Sequence, residues 1–144
     1  VINVAVRVKI SIRNIETNFE VSTAALVNTG YEVEEPEILL PRRLAEYIGL
    51  SLKPPRARVE VYETPLGLYH LIFIPKAVSV HLIDVCERVD GVNVAVSEAE
   101  REVLISDALG EALGIQLLEI GKGVWRHARD QPGVTRLSVQ AEYW

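Results

Sequence analysis

The sequence predicts an all-β fold carrying two short helices, and three observations predict it. Residues 2–12 alternate apolar and polar side chains with a period of two. Residues 57–82 read as strand throughout, punctuated only by Pro and Gly. The two stretches with helical spacing, one starting at Pro41 and one after Ser106, are each closed by a Gly within a few turns.

In chain order, Ile2, Val4, Val6, Val8, Ile10 and Ile12 share one face of the first strand, with Asn3, Arg7, Lys9 and Ser11 on the other. β-Branched residues at every inward position suit a half-buried pleated surface. The polar run 13–18 is turn-like, so residues 19–27 return as the hairpin partner. That strand delivers Asn28 where the backbone changes direction, and Gly30 permits the positive φ of a tight loop. Glu32, Glu34, Glu35 and Glu37, interrupted by Pro36, follow as an acidic loop expected to be solvated and self-repelling. Pro41 suits the first turn of a helix in which Leu44, Ala45 and Ile48 share a face and Gly49 ends the run.

Residues 57–82 then spell a long hairpin. Val59 and Val61 lead to the turn Thr64-Pro65-Leu66-Gly67, residues 69–74 return, and Pro75-Lys76 breaks the run before 77–85 resumes it. Val92, Val94 and Val96 alternate after an Asp90-Gly91 turn. Val103-Leu104-Ile105 meets the polar turn Ser106-Asp107, and a helix follows with Leu109, Ala112 and Leu113 inward, Asp107 as its cap and Gly114-Ile115 at its end. Strand, turn and helix thus occur twice, once around Asn28 and once around Ser106. Residues 134–143 are expected as a last strand, with Leu137, Val139, Ala141 and Tyr143 on one face.

A chain of 144 residues, 49% of them apolar, forms one domain with a substantial core and is not a disordered segment. A net charge of −5 argues against nucleic acid or an anionic membrane as the main partner. The Arg42/Arg43 and Arg56/Arg58 pairs do not extend into a basic stripe. Cys86 is the single cysteine, so no internal disulfide exists; it reads as a small half-buried apolar residue. As a nucleophile it would need a base, with His70 or His81 the candidates. His70, His81 and His127 lack metal-ligand spacing, and neither metal nor cofactor is expected. The absence of a membrane-length apolar run and of a secretory signal predicts a cytoplasmic location. Eleven Arg against four Lys, three Gln and no Met fit a thermophilic source.

The stretch Ala24-Ala25-Leu26-Val27-Asn28-Thr29-Gly30 gathers the functional question. It is followed by Leu40-Pro41 and Leu44-Ala45 ahead of Gly49-Leu50, then a hairpin, then Leu104-Ile105-Ser106-Asp107 ahead of Leu113-Gly114-Ile115. This order, over roughly residues 19–127, resembles the retropepsin-like aspartic proteases, small closed β-barrels that pair as homodimers. The resemblance implies that Asn28 stands at the position of the catalytic Asp, with Thr29 and Gly30 holding the loop. It makes Pro65, Leu66, Gly67 and Leu68 the tip of a flap closing over an extended peptide. In that family two aspartates meet across the dimer axis and share a proton, one activating a water while the other polarises the carbonyl.

Two departures bear on activity. An amide has no titrating proton, so Asn28 cannot be a general base, and a homodimer repeats the loss. Ser106 occupies a position usually held by Gly in the family. The reading is therefore a catalytically silent homologue that retains peptide binding. Asn28 itself reads either as a binding residue at a dimer axis, as a loop-stabilising asparagine, or as a replacement disarming a natural protease. The alternatives are an active endopeptidase with Asp at position 28, recruitment of Glu35 or Glu37 as substitute carboxylates, and a purely structural dimer.

Overall fold

A computed structural model describes residues 5–144, with Thr64 described by its backbone alone. The first hairpin forms as the alternation dictates. Strand β1 (Arg7–Asn14) pairs antiparallel with β2 (Glu20–Val27), from Arg7 opposite Leu26 to Arg13 opposite Glu20. Val6, Val8, Ile10 and Ile12 are all buried, as their shared face predicts; Ile2 and Val4 lie outside the described residues.

The order continues with β3 (Glu37–Pro41), α1 (Arg42–Tyr47), β4 (Arg58–Thr64), β5 (Gly67–Leu82) and β6 (Glu87–Ser97). Then come β7 (Val103–Ile105), α2 (Asp107–Ala112), β8 (Ile115–Glu119), β9 (Val124–His127) and β10 (Arg136–Leu137). Six strands close into a barrel in the order β1, β2, β7, β3, β6, β5, with β5 returning to β1 from Ile10 opposite Leu82 to Asn14 opposite Val78. Closure leaves these six strands without an open edge along the paired lengths, which removes a template for aggregation. Two of the junctions are parallel, β2 with β7 and β3 with β6. Such pairings need long crossovers, and the chain supplies them.

The barrel interior is aliphatic. Ile10, Ile12, Ile38, Leu40, Val80 and Val94 are inaccessible to solvent. The helices plug this core: Leu44, Ala45 and Ile48 from the first and Leu109 and Leu113 from the segment of the second join the same cluster. Each such Leu or Ile side chain stabilises the fold by about 1.5–3 kcal/mol relative to exposure. Beside the barrel, β8, β9 and β10 form a small antiparallel sheet. Its packing centres on buried Trp125 and His127; the His127 Nε2 lies 2.9 Å from the Leu113 carbonyl, and Nδ1 accepts from the Arg129 N–H at 3.1 Å. That pattern assigns the proton to Nε2.

The structure departs from the sequence expectations at several points. Pro75-Lys76 does not end a strand, because β5 runs through it. Four steps along β5, Ile74 to Val78, face two along β6, Val94 to Val92, so the extra residues bulge outward. Lys76 takes a left-handed φ of 46° there, and its N–H is bonded to the Asn93 side chain at 2.9 Å. Asp90-Gly91 likewise lies inside β6 as an irregularity, not as a turn, with Gly91 at φ 65°. The reversal between β5 and β6 falls instead at residues 83–86, where Cys86 is exposed, not half-buried, and left-handed at φ 54°. The final strand is only Arg136–Leu137; Leu137 is 75% and Tyr143 60% exposed, so the expected apolar face of 134–143 is not buried as one. Glu37 belongs to β3, not to a solvated loop, and is only 5% exposed.

Candidate functional site

Strand β2 ends at Val27, whose neighbours on β7 are parallel: Leu26 lies opposite Leu104 and Val27 opposite Ile105. The loop that follows is tied down by its own side chain. The Asn28 Oδ1 accepts the Gly30 N–H at 3.0 Å, and the Asn28 carbonyl accepts the Tyr31 N–H at 3.1 Å. This is the local turn that Asn and Asp make with the backbone two residues on.

The second strand–turn–helix element completes the attachment. The Asn28 N–H bonds to the Ile105 carbonyl at 3.1 Å, and the Asp107 N–H bonds to the Tyr31 carbonyl at 2.9 Å. The Asp107 Oδ1 accepts the Val33 N–H at 3.2 Å as well as the Ala108 N–H at 2.8 Å. Asp107 is thus a brace for the loop. The helix cap is Ser106: its Oγ accepts from the Leu109 N–H at 3.2 Å and the Glu37 N–H at 3.1 Å, and donates to the Glu37 carbonyl at 2.6 Å. A glycine would supply none of these bonds, which gives the hydroxymethyl group a role the sequence does not announce.

Asn28 is half-buried, while Thr29 and Gly30 are exposed. On one side the loop borders a cavity of about 410 Å³, lined by Val27, Asn28 and Thr29 together with Gly110, Ile115 and Ala128 among others. On the other side, Tyr31, Leu26 and Leu71 pack on the buried trio Leu39, Ala95 and Leu104.

The hairpin of β4 and β5 projects from the barrel, with Val59 opposite Ile72 and Thr64 opposite Gly67. At its tip Gly67 has φ 121°, a conformation that favours glycine, and Pro65 and Leu66 form the turn. Leu66 is 87% and Leu68 65% exposed. The hairpin meets the Asn28 loop lower down, through Tyr62. Its hydroxyl donates to the Glu37 carboxylate at 3.0 Å, and the Tyr31 hydroxyl donates to the same oxygen at 2.5 Å. Burial pushes the Glu37 carboxyl above the ordinary carboxylate range, the two tyrosine bonds oppose that, and the Glu60 and Glu35 charges add to it. Both phenols are pushed upward, first by burial and then by the Glu37 charge.

The structure therefore brings together Asn28, Thr29, Gly30 and the Ser106-Asp107 turn. His70 is exposed on the hairpin, His81 faces Ser11 and Arg88 on the barrel wall, and His127 is buried in the small sheet. The sequence pointed to neither Tyr31 nor Tyr62, nor to the burial of Glu37. One signal was present: Glu37 directly precedes Ile38-Leu39-Leu40, an apolar run of strand length. Among the described residues, no three His, Cys, Asp or Glu side chains form a group able to hold a metal ion. Among the described residues, no helix is long and apolar enough to cross a membrane.

No protein-family model matches this chain, and no curated protein matches it at a significant level.

Proposed function

We propose that this chain is a retropepsin-like peptide-binding domain, homodimeric and catalytically silent because Asn28 stands where the acid would be. The observation that carries the reading is the cross-bonding of the Asn28 loop to the second strand–turn–helix element, from Asn28 N–H to Ile105 and from Asp107 N–H to Tyr31. It holds the loop at the end of a barrel strand, on the side where a β-hairpin projects. An extended peptide would bind there by backbone hydrogen bonds to the hairpin and by side-chain contacts with the half-buried Leu26, Tyr31 and Leu71 that cover the apolar trio. The amide of Asn28 donates and accepts hydrogen bonds but exchanges no proton, so it orients a ligand without activating water.

The test is cleavage of a broad peptide library between pH 3 and 7 by this protein and by its Asn28→Asp variant. The expected result is cutting by the variant alone. Losing acid–base catalysis accounts for at least about 10²–10⁴-fold in rate. Equal cleavage by both would place the chemistry elsewhere. Absence of both cleavage and peptide binding in a confirmed dimer would favour a purely structural role. Recruitment of Glu37 as the acid is disfavoured by its two tyrosine bonds and its place inside β3. Adding Glu35→Gln, at an exposed position, to the Asn28→Asp variant should leave its activity in place.

A further inference from the structure

We propose that Glu37 is a latch: by accepting hydrogen bonds from Tyr62 and Tyr31 together, its carboxylate fastens the β4–β5 hairpin to the loop after Asn28, so that the two move as one unit.

Three segments meet at this carboxylate. Tyr31 follows the Asn28-Thr29-Gly30 turn directly, Glu37 opens β3 on the barrel wall, and Tyr62 belongs to β4, which among the described residues pairs with β5 alone. Both hydroxyls reach the same Oε2, at 2.5 and 3.0 Å. The carboxylate of a residue only 5% exposed needs such donors, since a buried charge without them is strongly disfavoured. Because both bonds end on one oxygen, removing either hydroxyl cuts the connection between the hairpin and the loop.

Val59 is 67%, Val61 56% and Leu68 65% exposed, so apolar burial there is slight. Tyr62 and Leu71, on the inner face, pack beside Tyr31 against Leu39, Ala95 and Leu104. The polar bonds sit at the margin of this small apolar layer and define where Tyr62 comes to rest. Burial raises the Glu37 carboxyl, as it does for a group withdrawn from water, and the two tyrosine bonds oppose that shift. The latch does not depend on the role of Asn28, so it and the peptide-binding reading stand or fall separately.

The test is hydrogen–deuterium exchange of the full chain, read by peptide mass spectrometry, for the parent protein and for Tyr62→Phe, Glu37→Gln and Tyr69→Phe. Tyr69 lies opposite Tyr62 in the ladder and serves as the control. Expected is exchange about tenfold faster in residues 58–64 and also in residues 31–35 for Tyr62→Phe and Glu37→Gln. Residues 10–14 and 78–82 should keep their protection, and Tyr69→Phe should match the parent. If Glu37→Gln does not fold, Tyr62→Phe decides, since it removes one hydroxyl and keeps the ring. Faster exchange confined to 58–64, no change in either segment, or a uniform rise across the barrel in Tyr62→Phe would each overturn the latch.

Discussion

Single side chains set the sharpest expectations. Asn28→Asp keeps the side-chain oxygen that accepts the Gly30 N–H, so the turn survives, and the folded state should change by less than about 1 kcal/mol in urea denaturation near neutral pH. Ser106→Gly is a different matter. A lost N-cap replaced by Gly is ordinarily worth only a few tenths of a kcal/mol, yet here the same hydroxyl also serves the backbone of Glu37. We expect a destabilisation of about 1–3 kcal/mol, measurable as a fall in the urea midpoint. The Glu37 carboxyl has a raised pKa in the folded chain, so its contribution is full below the ordinary carboxylate value and declines as pH rises through the folded value. Glu37→Gln should therefore flatten the loss of stability on moving from mildly acidic to neutral pH, seen in denaturant midpoints across that range. Asp130 behaves oppositely: the Arg136 guanidinium and the His127 N–H hold it well below the usual range, so its contribution persists until strongly acidic pH. The two windows do not overlap.

At the scale of elements, sequence periodicity served well wherever one face of a strand is buried. Val6, Val8, Ile10 and Ile12 alternate because only one side of β1 meets the core, and the same logic located both helices and the hairpin tip. Legibility failed where neighbouring strands adjust to each other. Pro75-Lys76 and Asp90-Gly91 each look like a turn alone, yet they sit on adjacent strands, and a Cβ on Gly91 would approach the Lys76 Cβ to 4.0 Å. Paired irregularities in β5 and β6 bend the wall of the barrel, and no local signal states that two breaks belong to one bend. The site divided along the same line. Asn28, Thr29, Gly30 and Asp107 lie in legible turns, although Gly30 does not take the positive φ expected of it and the cap falls to Ser106, whereas the Tyr31–Glu37–Tyr62 contact depends on how a distant hairpin folds back. In the small sheet, Gly114 has φ 77° and a Cβ there would fall 2.5 Å from the His127 Nε2. Gly114→Ala should destabilise by about 2 kcal/mol or more through backbone strain and displacement of that ring, checked by thermal unfolding.

For the molecule as a whole, the C-terminal segment acts as a strap across the barrel. The Ser138 Oγ accepts the Arg7 N–H at 2.7 Å, Val139 N–H bonds to the Arg7 carbonyl at 3.0 Å, and Lys9 pairs with Glu142 at 2.6 Å. Trp144 ends it, its indole N–H on the Thr23 hydroxyl at 3.0 Å and its ring beside Tyr47. Removing residues 138–144 should destabilise the chain by about 2–4 kcal/mol, most of it from Trp144 and the two bonds to Arg7. Sedimentation at high micromolar concentration addresses the proposed homodimer, and a strictly monomeric chain would remove it. The strand β5 has a mechanical consequence of its own. It is shared between the barrel and the hairpin, and its pairing with β6 stops at Ile72, so beyond that residue only β4 accompanies it. The hairpin is in effect a lever whose fulcrum the Glu37 bonds set at the Tyr62–Tyr69 pair, beyond the barrel rim. With a rise of about 3.3 Å per residue, breaking those bonds moves the fulcrum back toward Ile72 and lengthens the arm from roughly 7 Å to roughly 15 Å. The same flexure then sweeps the tip about twice as far.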